Sequence, residues 1–449
     1  MKSHRIAAGV AGLTAALTCA GASFASTGPS SSDAPYVVPS KPGVVTKSIL
    51  TVGDSVDGYR MVGVPDGLGA YDNGDGTFTL LMNHELRNTQ GIPRAHGASG
   101  AFVSKWTIDK ETLEVKKGED LIQNLHLTSG TTTLTRLCSA DLPDLTAFFN
   151  PATGNGYDGR IFTNGEEDAG GRAFAHVATG AEAGESYQLP ITGERWENLV
   201  ANPSTGDKTI VVGTEDTGGG RVVVYEGQKQ STGNAVQKAG LTNGVSNAVA
   251  VAGVGVESSP DGIPSGTRFT LAPYAGGTGF LRPEDVAWDV ENPNVLYFVT
   301  TNDFNKPSRL YRLTFDDVNN PSLGGRIDTL LDGSEGQQML DNITVTRRGQ
   351  LILQEDPGNQ SYIARVYRYS PDSDKLVEVA HHDTDLFSPT PQGPDFITQD
   401  EESSGVIDVS NILGDGKFLF DDQVHTTAND PELVERGQLL ALQVPPGQK

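Results

Sequence analysis

Short runs of β-branched and aromatic residues that end in acidic side chains recur along the chain. Within each run the apolar side chains are typical of buried strands, and convincing amphipathic helices are hard to find between them. The runs, the last of which is the weakest, are 77–85, 160–167, 209–216, 296–303, 351–356 and 417–422. Several steps between their acidic ends measure about 50 residues, which is typical of one blade of a repeated β architecture.

Glycine-containing turns separate the predicted strands. The turn 347–350 lies between two apolar runs, and 72–76 precedes another. The segment 72–76 superficially resembles a calcium loop, but Gly74 occupies a ligand position and no suitably spaced Glu follows, so a turn is favoured. Glycine accounts for 54 of 449 residues without a collagen-like period. Together these features predict an all-β, six-bladed β-propeller with long inserted loops.

The N-terminal residues are typical of an export signal. Two basic residues precede the apolar stretch 6–17, and small residues follow it, so we expect a signal peptide over 1–25 with cleavage after Ala25. Lipid attachment at Cys19 is the alternative, although the usual small residues before that cysteine are missing. The Ser-, Pro- and Gly-rich segment 26–47 is predicted to be a flexible leader, and 48–449 a single propeller domain. We therefore expect a secreted protein without a membrane anchor.

The charge balance limits the partners. The chain carries 33 basic and 57 acidic side chains, a formal net charge of −24. Nucleic acids and anionic membranes bind through Lys and Arg side chains that replace phosphate counterions, so this balance argues against both. Metal ions are the expected partners, together with a small substrate, and we expect a monomer.

The acidic run ends suggest where the chemistry lies. If each run ends an equivalent strand, the carboxylates converge at one end of the central channel, where they raise one another's pKa unless cations compensate them. Oxygen-rich cages of this kind suit Ca²⁺. The alternative is that the acids are solvated strand ends that keep the protein soluble. Adjacent carboxylates in a strand point to opposite faces, so one member of each pair can face the channel.

Two further residues are candidates. Cys138 is the single cysteine left after signal cleavage. A thiolate among carboxylates would favour a softer metal such as iron, whereas a buried small hydrophobe is the alternative. Arg282 and Glu284 flank Pro283 in an extended segment and so share one face, where the guanidinium could bind phosphate beside a metal-ligating carboxylate. An ordinary ion pair at a strand start is the alternative there.

These motifs, in this order, resemble the PhoX-type alkaline phosphatases. The resemblance rests on Cys138 and on four segments, which are 83–85, 282–284, 341–356 and 402–405. It implies a six-bladed propeller that hydrolyses phosphate monoesters at a channel cluster of calcium and iron ions. It further implies an iron ligand at Cys138 and catalysis by Arg282, as the phosphate clamp, with the metal ligand Glu284. The further metal ligands that it implies are Glu166 or Glu167, Glu215, Glu355 and Glu402.

Two other functions compete with a secreted metal-dependent phosphatase. Residues 49–56 resemble the nucleophile strand of Gly-Asp-Ser esterases, with Ser55 as nucleophile, and Asp422 and His425 have the later Asp-x-x-His spacing. That fold needs a parallel sheet with crossover helices, and few helices are predicted. The other competitor is a calcium-stabilised propeller that binds a partner without turnover.

Overall fold

The computed structural model describes residues 24–258 and 261–445. Nearly all of the predicted signal peptide, including Cys19, lies outside these residues. The helices are single turns. They are α1 (Ala235–Lys238), α2 (Thr384–Phe387) and α3 (Ser410–Leu413), with 3-10 turns at Leu145–Ala147, Tyr274–Gly276 and Pro321–Leu323. No helix within the described ranges has the length and apolar character needed to cross a membrane.

The strands dominate the described chain, in agreement with the predicted all-β class. In chain order they are β1 (Phe24–Thr27), β2 (Val37–Pro39), β3 (Val45–Thr51), β4 (Ser55–Val56), β5 (Tyr59–Arg60), β6 (Pro65–Asp72), β7 (Thr77–His84), β8 (Phe102–Asp109), β9 (Val115–Asp120), β10 (Asn124–His126), β11 (Leu137–Asp141), β12 (Phe149–Asn150), β13 (Asn155–Gly156), β14 (Ile161–Glu166), β15 (Ala173–Val177), β16 (Glu185–Leu189), β17 (Trp196–Ala201), β18 (Lys208–Glu215), β19 (Gly218–Gly220), β20 (Val222–Gln228), β21 (Val245–Val251), β22 (Thr267–Pro273), β23 (Phe280–Leu281), β24 (Pro283–Trp288), β25 (Val295–Thr300), β26 (Arg309–Phe315), β27 (Gly325–Leu331), β28 (Leu340–Val345), β29 (Leu351–Glu355), β30 (Arg365–Ser370), β31 (Lys375–His382), β32 (Glu401–Asp408), β33 (Lys417–Thr427) and β34 (Glu435–Gln443).

The sheets repeat one antiparallel pattern. The first consists of β6-β7-β8-β9, and the others extend outward in the same sense from β11, β17, β24, β28 and β32. These six innermost strands contact one another in sequence, and β32 contacts β6, which closes the ring. This is the arrangement of a β-propeller. Because β17, β18, β20–β22 and β24–β27 join into one continuous nine-stranded sheet, the sheets do not separate into six blades, and the blade number stays a prediction.

The predicted apolar runs all occupy the same position in their sheets. Each lies in the second strand, next to an innermost strand; these second strands are β7, β14, β18, β25, β29 and β33. Their apolar side chains are buried between neighbouring sheets. Both predicted turns also form, since 72–76 joins β6 to β7 and 346–350 joins β28 to β29.

The predicted flexible leader, 26–47, is instead part of two sheets. Strand β3 pairs with β34 and β1 pairs with β3, so the N-terminal strands complete the sheet that the C-terminal strands begin. Strand β2 pairs with β31 in the preceding sheet. Val37 and Val44 are fully or almost fully buried in the core between these sheets. The Ser, Pro and Gly content suggested flexibility, but these few apolar residues and the strand pairings fix the segment.

Candidate metal centre

One polar residue projects from the same position of every innermost strand. It is the second residue of each strand, and we call the set the inner ring: Asp66, Cys138, Glu197, Glu284, Asp341 and Glu402. The ladder shifts register along each of these strands. Such irregularities re-aim side chains relative to a regular strand. At Gly67 a Cβ atom would lie 2.5 Å from the Ala140 nitrogen, so only glycine allows β6 to approach β11 this closely.

The second strands supply a second set at the same depth in the fold. We call it the second ring: Glu85, Glu167, Asp216, Thr301, Asp356 and His425. Six equivalent backbone hydrogen bonds of 2.8–3.0 Å connect the end of each second strand to the start of the neighbouring innermost strand. In each, the N–H of a second-ring residue donates to a backbone carbonyl, and that carbonyl belongs to the residue two positions before the inner-ring residue. The repeated hydrogen bond places both rings in register at one end of the channel.

The carbonyl acceptors of these hydrogen bonds form a third set, the rim: Val64, Arg136, Arg195, Arg282, Met339 and Asp400. The first five have positive φ, between 41° and 57°. Non-glycine residues rarely adopt this left-handed conformation, and such strain concentrates at functional sites. Because it recurs before five of the six innermost strands, the chain enters these strands in the same conformation each time.

The two rings bring metal-ligand atoms together in a continuous series. Four groups of three have donor atoms within 4.8 Å of one another, and each group shares a member with the next. The groups are Asp66–Glu85–Cys138, Cys138–Glu167–Glu197, Glu197–Glu284–Asp341 and Asp341–Asp356–Glu402. Eight carboxyl groups and one thiol, with at least one from each innermost strand, therefore line the channel.

Burial makes ionisation of these carboxyl groups unfavourable unless nearby positive charge compensates it. Burial first, and then neighbouring carboxylates, raise the pKa of Asp66 and Asp341 well above the usual range. Burial likewise raises the pKa of Glu197 to about 8 and that of Asp356 to about 7. The alternative of solvated strand ends does not fit most of the run ends, because Glu166, Glu167, Glu215, Glu355, Asp421 and Asp422 are at most 6% exposed, whereas Asp303 is exposed. Bound cations would remove the conflict.

Two rim arginines offset part of the negative charge. Arg136 donates to Glu85 Oε1 from Nε over 2.6 Å and to Glu167 Oε2 from Nη2 over 2.5 Å. Arg282 holds both oxygens of Asp216, at 2.7 and 2.9 Å, and its Nη2 lies 3.0 Å from Glu284 Oε1. Although burial opposes it, the Arg282 hydrogen bonds lower the pKa of Asp216. Two guanidinium groups cannot neutralise the charge of eight carboxylates.

A hydrogen-bonded network closes the channel beneath the rings. Asn342 donates to Ser139 Oγ over 2.6 Å, and Ser139 donates to Glu197 Oε1 over 2.5 Å. The Ser404 hydroxyl lies 2.8 Å from both Asn342 Oδ1 and Asp66 Oδ1. A separate cavity of about 370 Å³ lies beyond this network, lined by the later residues of all six innermost strands. The acidic site therefore opens towards the rim.

Among the predicted site residues, the structure brings Cys138, Glu167, Glu284 and Glu402 into the ligand groups, with Arg282 beside Glu284. Cys138 is buried, and its Sγ lies 3.3 Å from Asp66 Oδ2. Its surroundings are thus carboxylates and not the apolar side chains that the buried-hydrophobe alternative requires. Burial, followed by these carboxylates, raises the pKa of the thiol well above its usual range.

Three predicted ligands, Glu166, Glu215 and Glu355, lie outside the ligand groups. Each accepts a hydrogen bond from the backbone N–H two residues before the first residue of its innermost strand. Each also accepts from the backbone N–H of an arginine near the start of the third strand. The three glutamates therefore hold the strand entries together, and the next residue along the chain faces the channel. Because side chains alternate along a strand, one carboxylate of each adjacent pair was expected to point away from the channel. In all three pairs it is the first carboxylate.

Six acidic ring residues were not among the predicted ligands. They are Asp66, Glu85, Glu197, Asp216, Asp341 and Asp356. Glu85, Asp216 and Asp356 are the last residues of predicted runs, so consistent selection of the last acidic residue would have found them. Asp66, Glu197 and Asp341 lie in innermost strands. Polar residues interrupt the apolar pattern there, so none of the predicted runs covers these strands.

The serine-esterase arrangement does not form. Ser55 lies in the two-residue strand β4, and Asp422 accepts a hydrogen bond from His382 Nε2 over 2.7 Å. The hydrogen-bond partners of His425 are Glu435 and Glu402. The antiparallel topology also lacks the crossover helices of that fold within the described ranges. The predicted Ser55–His425 pairing is therefore wrong.

Comparisons with known proteins identify a fold. No protein-family model matches the sequence, and no curated protein matches it. Among solved structures, PhoX of Pseudomonas fluorescens in complex with vanadate, a transition-state analogue, matches with a TM-score of 0.58 and 12% identity over 90% of this chain and 96% of that chain. Sqt1 of Chaetomium thermophilum, bound to the N-terminus of ribosomal protein L10, matches with a TM-score of 0.39 and 8% identity over 87% and 98% of the two chains.

A third structure, the α-L-arabinofuranosidase PaAbf62A of Podospora anserina in complex with cellotriose, matches with a TM-score of 0.36 and 8% identity over 95% and 98% of the two chains. The TM-scores of Sqt1 and the arabinofuranosidase are too low to support an argument. At 12% identity, the match to PhoX shows likeness of fold alone. The chain is a nearly all-β protein with a β-propeller fold similar to that of PhoX, and it carries buried carboxylate groups at one end of its channel.

Proposed function

We propose that the protein is a secreted, metal-dependent phosphatase that hydrolyses phosphate esters at the two rings. The observation that carries the proposal is the series of four ligand groups beside Arg282, a guanidinium that retains exposed surface at the channel mouth. The fold match to a phosphatase, PhoX, supports it. The predicted signal peptide supports secretion.

The ligand set suits more than one kind of cation. Most donor atoms are carboxylate oxygens, which hard ions such as Ca²⁺ prefer. Cys138 adds a thiol that two groups share, and a thiolate favours a softer metal such as iron. We propose calcium in the groups around Asp341 and iron in those that contain Cys138. When bound, such ions supply Lewis-acid catalysis and neutralise charge on phosphate oxygens.

The roles of the chain's own residues follow from their contacts. Nε and Nη2 of Arg282 are held by Asp216 and Glu284, whereas Nη1 has no hydrogen-bond partner among the described residues. The fixed guanidinium can therefore direct Nη1 at a phosphate oxygen without a reorganisation cost during the reaction. The network beneath the rings excludes solvent from that side. The substrate enters across the rim.

Turnover of a chromogenic phosphate ester tests the proposal. The purified protein, supplied with Ca²⁺ and iron, is expected to hydrolyse 4-nitrophenyl phosphate, to lose the activity on chelation and to regain it when the metals return. A non-catalytic binding propeller would bind the ions without hydrolysing the ester before or after chelation. That result would overturn the proposed function while leaving the metal site in place.

Replacement of the thiol is expected to change the metal content selectively. In Cys138→Ser the hydroxyl is a poor ligand for soft metals, so the bound iron should fall to a small fraction while calcium and the fold remain. Elemental analysis of the parent and variant, together with circular dichroism, measures this. If both metals are retained at parental levels, the thiol is not an iron ligand.

A matched pair of isosteric variants tests which carboxylate of a pair binds the cation. Asp356→Asn should lower cation content and reduce turnover by about 10-fold or more, because Asp356 belongs to a ligand group. Glu355→Gln should retain both, because Glu355 accepts hydrogen bonds from Gln338, Arg365 and Tyr367 instead. Its expected effect is a loss of about 1–3 kcal/mol in stability. The reverse pattern would identify Glu355 as the ligand.

A further inference from the structure

Three arginines follow one another along the rim. Arg136, Arg195 and Arg282 immediately precede three consecutive innermost strands, and each lies two residues before an inner-ring residue. All three have positive φ, at 41°, 50° and 57°. The carbonyl of each accepts a hydrogen bond from the second-ring residue of its own sheet. The remaining rim positions are Val64, Met339 and Asp400, so one half of the rim is cationic and the other is not.

The outer two arginines each bind two carboxylates of the rings. Arg136 binds Glu85 and Glu167, and Arg282 binds Asp216 and Glu284. The backbone carbonyl of Arg195 accepts a hydrogen bond from the Asp216 N–H over 2.9 Å, and Glu167 is the second-ring residue of the preceding sheet. Both of these second-ring carboxylates are already engaged by the neighbouring arginines.

Arg195 is consequently left without an anionic partner. Its guanidinium forms no hydrogen bond or ion pair with any residue in the described ranges, and the side chain is half-buried. The adjacent carboxylate of Glu194 accepts a hydrogen bond from the backbone N–H of Gly170 over 2.6 Å. An unpaired guanidinium beside so many acidic groups is available to an anion that enters from solution.

We propose that Arg195 binds a second anionic group of the substrate, on the side of Arg282 away from Met339. The substrate class is then phosphate esters whose alcohol part carries a carboxylate or a further phosphate. Arg282 holds the phosphate to be transferred, and Asp216 fixes the spacing, because its side chain binds Arg282 while its backbone N–H binds the Arg195 carbonyl over 2.9 Å. This inference rests on the proposed phosphatase function. Arg195 is a specificity residue and takes no part in the bond-breaking step.

A matched pair of esters tests it in the metal-loaded protein. Both 3-phosphoglycerate and glycerol 3-phosphate are esters of primary alcohols, and the former carries an additional carboxylate. Arg195→Ala should lower kcat/KM for 3-phosphoglycerate by about 10-fold or more through KM, as expected for loss of a charged hydrogen bond, with a change of less than about twofold for glycerol 3-phosphate. Arg195→Lys should recover part of the loss, since a point charge remains without the planar fork.

The control is Arg348→Ala, in the turn at the far end of β28, where the guanidinium forms an exposed pair with Asp415 over 3.2 Å. It should leave both esters at parental values. Equal losses for the two esters in Arg195→Ala, or no loss for either, would overturn the assignment of a second anion site.

Calorimetric binding separates this inference from the proposed function. If the metal-loaded parent hydrolyses neither ester, the phosphatase proposal fails. In that case, tighter binding of 3-phosphoglycerate than of glycerol 3-phosphate, with the preference lost in Arg195→Ala, still supports the second anion site. Equal binding of both by the parent overturns it.

Discussion

Arg282→Ala is expected to hydrolyse phosphate esters at least about 100-fold more slowly than the parent. The physical reason is that a prepositioned cation stabilises the charge that develops on the transferring phosphate, and one such donor is commonly worth a factor of this size in rate. Asp216 and Glu284 hold the guanidinium in place before the substrate arrives. The loss should therefore appear mainly in kcat, measured with a chromogenic phosphate ester.

The structure adds a condition to this experiment. Removal of Arg282 also removes the charge that offsets Asp216 and Glu284, so cation binding could change as well. Metal content must therefore be measured on the same preparation, and it should remain close to the parental value because the ligand groups are intact. Arg282→Lys should recover only part of the rate, since an ammonium group cannot reproduce the planar fork. A fully active Arg282→Ala protein would reduce Arg282 to a structural ion pair.

Removal of the cations is expected to lower the melting temperature on the order of 10 °C. Ions that bind only the folded state stabilise it by mass action, by about 2.7 kcal/mol for each site at a concentration 100 times Kd. In addition, their removal leaves the carboxyl groups of the rings without compensation. Differential scanning calorimetry before and after chelation measures the effect, and re-addition of Ca²⁺ and iron is the control for irreversible damage. A melting temperature indifferent to strong chelators would contradict the metal centre.

The same effect should depend on pH in a defined direction. Burial raises the pKa of Glu197 to about 8 and that of Asp356 to about 7 in the folded chain. An unfolded chain has carboxyl pKa values of about 4, so in this pH range the folded state binds more protons than the unfolded state. The stability of the chelated protein should consequently fall as the pH rises from about 4 to about 8. Chelation should thus cost more stability at pH 8 than at pH 6, and the opposite order would contradict the assignment.

The sequence predicted the strands that bury apolar side chains on both faces. Such strands are rich in apolar and β-branched residues, and β7, β14, β18, β25 and β29 each carry that signal ahead of the acidic residues that end the predicted runs. The sequence also predicted that only one of two adjacent carboxylates could face the channel. Which one does so could not be read from it, because the orientation of Glu355 depends on backbone N–H groups of Gln338 and Arg365, which only the folded chain brings to it.

The prediction of a flexible leader over 26–47, which rested on local composition, was wrong. The segment 26–47 has the composition of a flexible linker, yet β1 and β2 pair with strands that lie far along the chain. Pairing of this kind depends on which strand edges remain open after the other sheets have formed. No local pattern records that information.

The sequence by itself determined the all-β class, the repeated strand ends and the excess of carboxylates that cations must balance. Only the tertiary structure decided which of these groups meet. The inner ring unites six residues that lie far apart in sequence, and several belong to strands whose polar residues conceal the β pattern. Closure of the innermost strands into a ring sets those distances, and it lets Arg136 bind Glu167 and Arg282 bind Asp216, while Arg195 forms no ion pair within the described ranges. Contacts of this kind arise from closure of the whole fold, so a one-dimensional pattern does not contain them.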